Sequence, residues 1–364
     1  MSTNTALSSP FSRACLVAYT VLIAYASCYP FSGWQFQNLV AFTELFQQWP
    51  HYWSKFDASI NVAGYIPFGV LLSFSLHPHL SRRWSWIATV LVGFGLSLAM
   101  ESIQYFIPSR VTSLLDLSTN TLGTFIGAVI GAALIPAFIE RDKLHTLRLH
   151  WLQPDSSREL VVLGLWPLAQ IFPQAFLFGF GQILPIISLW CEEYLDISID
   201  LSSVLRRGVE LSSEEYLLTE TIITASGCAG AILFFLSLFK RRAPHFLLAL
   251  GMLLAALAAK SLATAVMFQP ENAFSWLTPG AQGGIIISAL ILYGFSFTPL
   301  QAQRRLATLL LFISLMLVNL IPNNPYFLMT LQSLMQGKML NFFGAAQFLA
   351  IVWPFVAIWY LFKK

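Results

Sequence analysis

Residues 84–138 read WSWIATVLVGFGLSLAMESIQYFIPSRVTSLLDLSTNTLGTFIGAVIGAALIPAF. Two apolar runs, 84–106 and 114–138, are parted by a short turn that holds Pro108, Ser109 and Arg110. Each run exceeds the ~20 residues a helix needs to cross a hydrocarbon core of ~30 Å, and a helix satisfies its own backbone hydrogen bonds in lipid. The ~10-residue alternation of a membrane β-barrel is absent. The stretch therefore predicts two membrane helices joined by a hairpin turn.

The same pattern recurs on both sides of it. Apolar runs at 14–31, 58–76, 84–106, 114–138, 159–178, 214–239, 245–267, 283–300, 306–321 and 344–361 predict an all-α polytopic protein with about ten transmembrane helices. With 57% hydrophobic and only 10% charged residues, the chain has too few ionisable groups to solvate a globular surface. The net charge of +3 is divided among short basic clusters between apolar runs, which speaks for topology and against a nucleic-acid partner. Arg13, Arg82, Arg83, Arg141, Lys143, Arg148, Arg158, Lys240, Arg241, Arg242, Arg304, Arg305, Lys363 and Lys364 fall on one side, 14 of the 20 Lys and Arg. Cytoplasmic loops are the basic ones, so the expected orientation is N-in and C-in.

Three units are expected: a four-helix membrane domain over 1–140, a basic cytoplasmic linker over 141–158, and a six-helix membrane domain over 159–364. The aromatic stretch 32–57 suits either an amphipathic segment at the outer headgroup layer or a loop packed on the bundle. Residues 179–214 predict one or two short extracytoplasmic helices. Cys15, Cys28, Cys191 and Cys228 form no CxxC pair, so their spacing gives no zinc site or disulfide framework. Ala24-Tyr25-Ala26 resembles a signal-peptidase site, but the poorly basic start and the run continuing to Pro30 favour an uncleaved first helix.

Polar side chains concentrate where membrane helices avoid them, since an Asp at the centre of a span costs roughly 2.5–3.5 kcal/mol on insertion scales. The second helix opens with Asn61 and Tyr65. The third ends with Glu101 and Gln104, Arg110 lies in the turn, and the fourth begins with Asp116 and Asn120. In the expected topology all of these fall at the outer end. Spacings of three and four put Glu101 with Gln104, and Asp116 with Asn120, Gly123 and Gly127, on common helix faces. Gly69, Gly123, Gly127 and Gly131 would let neighbouring backbones approach closely.

Asn61, Pro67-Phe68-Gly69, Glu101-x-x-Gln104, Arg110 and Asp116-x-x-x-Asn120-x-x-Gly123-x-x-x-Gly127 together resemble the signature of the VanZ family over roughly residues 15–140. The resemblance implies a bacterial inner-membrane protein of the cell envelope, in a family associated with teicoplanin resistance and without an established reaction. It leaves the last six predicted helices uncovered.

Three readings of the polar set are open. Glu101 and Asp116 pair with Arg110 while the amides cross-link helices; or Asn61, Glu101, Gln104, Arg110, Asp116 and Asn120 bind a lipid headgroup or lipid-linked glycan, with Arg110 on a phosphate or carboxylate; or the two carboxylates act as acid and base on a lipid-linked substrate. The cluster has no His, Cys or phosphate-cradling glycine loop, so no cofactor and no metal is expected. Envelope-biosynthesis proteins are candidate partners, and a scaffold of an envelope-polysaccharide complex is a further alternative.

Outside the cluster, His77-Pro78-His79 reads as a solvated loop beside Arg82. Lys260 interrupts the seventh run, either as a functional intramembrane lysine or as one that snorkels to a nearby helix end. Glu220, Asn319 and the 322–325 turn belong to the outer side, where they extend the pocket or serve as ordinary helix termini.

Overall fold

The computed structural model describes residues 10–29, 31, 34–35, 55–77, 79–110, 112–135, 150–154, 156–207, 211–268, 270–295, 297–321 and 340–363. Most of the linker, residues 36–54 of the aromatic stretch and the 322–325 turn lie outside them. The described residues are helical, without a strand, and form two compact units, Met1–His150 and Trp151–Lys364. Among the described residues, eight helices are long and apolar enough to cross a membrane. This is a multi-pass membrane protein.

The N-terminal unit contains α1 (Pro10–Cys28), α2 (Lys55–Leu76), α3 (Arg82–Gln104) and α4 (Leu114–Ile135). Its tightest seam joins α2 to α4. A Cβ on Gly123 would overlap the Val62 carbonyl, one on Gly127 the Ile66 carbonyl, and one on Gly69 the Thr124 carbonyl; on Gly131 it would come within 2.7 Å of Ser73 Cβ. Lipid supplies no hydrophobic drive for helices to associate, so van der Waals contact between bare backbones takes its place. Pro67 removes one backbone bond inside α2. In the same turn Tyr19 Oη donates to the Gly64 carbonyl at 2.8 Å, fastening α1 to α2.

The C-terminal unit contains α5 (Ser157–Ala169), the short α6 (Leu184–Leu195) and α7 (Leu201–Leu205), then α8 (Ser213–Leu236), α9 (His245–Phe268), α10 (Pro279–Phe295), α11 (Leu300–Leu320) and α12 (Leu340–Phe362). Two of the expected spans are shorter than the others. At 17 residues α10 is about 26 Å long, at the lower end of the spanning range, and at 13 residues α5 is about 20 Å, short of the hydrocarbon thickness. Pro167 lies inside α5, and the chain is irregular from Gln170 to Ile183, with Phe178 at φ 59° and Gly181 at φ 83°.

This irregular stretch is nonetheless interior. Phe176, Leu177, Phe178 and Phe180 are all buried, with Phe178 stacked on Trp166 at 5.1 Å. Non-helical backbone at depth must find partners inside the protein. Asn319 of α11 supplies three: its Oδ1 accepts from Ile183 N at 2.7 Å and Leu184 N at 3.0 Å, and its Nδ2 donates to the Gly181 carbonyl at 2.8 Å. Gly227 of α8 lets the Phe178 carbonyl come where a Cβ would stand.

Candidate functional site

Every helix leaves its last carbonyls without intrahelical donors. At the end of α1 the turn between α3 and α4 supplies them. Arg110 Nε donates to the Tyr29 carbonyl at 2.7 Å, its Nη2 donates to the Tyr29 and Ala26 carbonyls, and Gln104 Nε2 donates to the Ser27 carbonyl at 2.9 Å. A cation at a helix C-terminus also opposes the negative end of the macrodipole. Burial lowers the Arg110 pKa from its ordinary value. Ile107, fully buried against Cys28 and Met100, packs beneath this polar clasp. Arg110 therefore pairs with neither Glu101 nor Asp116, because the carbonyls of α1 take its donors.

The carboxylates belong to a second arrangement at the start of α4. Glu101 is 3% exposed, and its Oε2 accepts from the Ser113 amide at 3.0 Å. Ser113 Oγ in turn accepts from Leu115 N at 3.1 Å, opening the helix. Asp116 is half-buried and accepts from Asn61 Nδ2 at 2.7 Å, bridging α4 to α2. One helix turn further in, Asn120 Nδ2 donates to Ser97 Oγ at 3.0 Å, bridging α4 to α3. Thus Asn61, Glu101, Asp116 and Asn120 come together, while Gln104 and Arg110 turn to α1.

Glu101 and Asp116 are close enough for the charge of one to act on the other, and Asp57 acts on Asp116 from the start of α2. Neither Glu101 nor Asp116 is ion-paired with a described residue. The N-terminus of α4 favours negative charge by ~0.3–1 kcal/mol. Burying an ion costs several kcal/mol, so the dipole alone does not offset two. Two further groups in the cluster keep unused capacity: the Tyr65 hydroxyl, beside Ser97, and Asn120 Oδ1 are buried without a hydrogen-bond partner. Buried polar atoms without partners call for a specific explanation.

Residues 14–135 match the VanZ/LLP1 family model. The N-terminal unit is VanZ-like. The match runs from within α1 to the last residue of α4 and takes in all six polar residues and the four seam glycines. It ends before the C-terminal unit begins. No curated protein and no solved structure matches the chain.

Of the groups that complete the VanZ-like cluster, sequence reasoning placed Tyr65 beside Asn61 without assigning it to the site, and passed over Ser97. Both carry a weak signal, being polar positions on apolar runs at helical spacing from Asn61 and Glu101. The Ser113 amide and the α1 carbonyls carry none, since backbone partners are set by tertiary packing. His77 and His79 lie away from the cluster, and His79 Nε2 is 3.4 Å from Arg13 Nη2. Among the described residues no group of His, Cys, Asp and Glu could hold a metal ion. Asn319 serves the irregular backbone of the C-terminal unit, and Glu220 lines a cavity there.

Proposed function

We propose that the VanZ-like unit binds the headgroup of an envelope lipid, or of a lipid-linked glycan, at the outer leaflet of a bacterial inner membrane. The supporting observation is the Glu101 and Asp116 pair, set beside two unpartnered acceptor-capable groups and with no cation paired to it among the described residues. Such a site calls for donors, so the part of the ligand it meets carries hydroxyl or amine groups. A ligand phosphate is not assigned to Arg110, whose Nε and Nη2 are held by the carbonyls of α1. The envelope setting, the leaflet and any link to glycopeptide tolerance rest on the family resemblance and the distribution of basic residues.

Native mass spectrometry of the full chain, comparing wild type with Asp116→Asn, tests this. Asp116 is the half-buried member, and Asn keeps an acceptor for Asn61, so folding is preserved. Loss of one retained lipid species in the variant supports recognition. An identical lipid profile in both proteins overturns it.

The same pair favours a second reading, an enzyme using one carboxylate as acid and the other as base on a lipid-linked substrate. Turnover of a lipid-linked substrate that disappears in Glu101→Gln while lipid retention persists would select this reading over binding alone.

A further inference from the structure

A cavity of about 340 Å³ lies inside the C-terminal unit, between the irregular stretch after α5, the start of α8, the second half of α9 and the turn before α10. The volume falls within the ~300–1,000 Å³ of small-molecule sites. Lys260 of α9 lines it and is 4% exposed, so its amine is turned into the protein and does not snorkel outward. Its Nζ makes one hydrogen bond, to the Phe172 carbonyl at 3.4 Å, longer than a well-formed N–H···O bond. An ammonium has three donors, and a buried charge requires a partner. Among the described residues none supplies an anion to Lys260.

Glu220 lines the same cavity but is not ion-paired with Lys260. Its Oε1 accepts from Thr278 Oγ1, while Thr278 Oγ1 accepts from Ala281 N at 3.1 Å, so this carboxylate helps start α10. Its other oxygen lies against Gly280, where any Cβ would collide with it. Gln174 Nε2 donates to the Ala169 carbonyl at 3.3 Å, and its Oε1 is buried without a partner. Trp276 forms an aromatic wall, its Nε1 fixed by Ser261 Oγ at 3.1 Å and the Ala273 carbonyl at 3.0 Å. Among the described residues the cavity thus offers one cation without an ion pair, acceptors from other elements in its lining, and a rigid ring.

We propose that this cavity binds a small anion bearing a hydroxyl or amine, with its phosphate or carboxylate on Lys260 and its donors toward Gln174 and Glu220. The site belongs to the C-terminal unit and lies outside the family match. Phosphoglycerol and phosphoethanolamine headgroups carry this chemistry in a membrane-borne form, and their free phosphate monoesters carry it in water.

The test is thermal unfolding of the full chain in neutral detergent, titrated with short-chain phosphatidylglycerol, with glycerol 1-phosphate, and with short-chain phosphatidylcholine as the control for detergent-like effects. Wild type should show a saturable rise in Tm with at least one of the first two probes, and Lys260→Met should raise the half-saturating concentration at least tenfold. A response to the lipid alone assigns a headgroup, and a response to the monoester assigns a soluble ligand. No saturable response to either anionic probe overturns the proposal, as does a response retained in Lys260→Met. Without ligand, Lys260→Met should unfold at the same temperature as wild type or higher. A drop of several degrees would mean that the amine serves the protein's own packing, and would also overturn it.

Discussion

The two units bury charge in opposite ways. In the VanZ-like unit Arg110, Glu101 and Asp116 are tied to helix ends and amides, and only the negative pair keeps an electrostatic demand. In the C-terminal unit a cation is placed in a cavity and left with one long contact to a carbonyl. Depth in the bilayer therefore does not by itself mark a ligand site. The hydrogen-bonding capacity left over after the protein has used its own partners is the better guide.

Substitutions can break or sharpen this contrast. The largest effect is expected at the α2/α4 seam, where Gly127→Leu forces backbones apart that hold Asn61 opposite Asp116. Overpacking there should cost about 3 kcal/mol or more. It would appear as loss of the monodisperse folded peak, whereas Gly95→Ala, with no atom within 4 Å of the added Cβ, should leave the peak intact. Next comes Asn319→Leu in the C-terminal unit, which orphans the Ile183 and Leu184 amides and the Gly181 carbonyl. At ~1–3 kcal/mol for each group left unsatisfied and still buried, partial relaxation should leave a net loss of about 2–3 kcal/mol in thermal or denaturant unfolding.

Glu101→Ala should cost about 1–2 kcal/mol by freeing the Ser113 amide, and Glu101→Gln clearly less, because an amide oxygen still accepts that bond. Equal losses in the two variants would show that the negative charge, and not the acceptor, stabilises the turn. His79→Ala belongs at the bottom of the series, within ~0.5 kcal/mol of wild type, as expected for an exposed position.

Much of the VanZ-like unit is legible in the sequence because its signals are periodic. Asp116, Asn120, Gly123 and Gly127 share one face of one helix, and that face alone predicts both a polar end and a close seam. The fate of Arg110 is not legible: a guanidinium near two carboxylates reads as an ion pair, and the carbonyls that capture it are backbone atoms more than 80 positions away. The 159–178 run reads as a span by hydropathy, although Pro167 and Pro173 stand within it. Interior burial makes the irregular stretch as apolar as a lipid-facing helix, so composition cannot separate the two. Lys260 posed the same ambiguity, resolved only by which way α9 turns its face.

The irregular stretch has a consequence for biogenesis. Its amides at 183 and 184 meet their acceptor at residue 319, so some 135 further residues must be translated before that acceptor exists. Until α11 inserts, the segment has no stable place in the apolar layer and must wait at the membrane surface or in the insertion machinery. Nascent chains halted short of α11 should therefore leave this segment open to water-soluble labelling reagents, and chains extended beyond it should shield it.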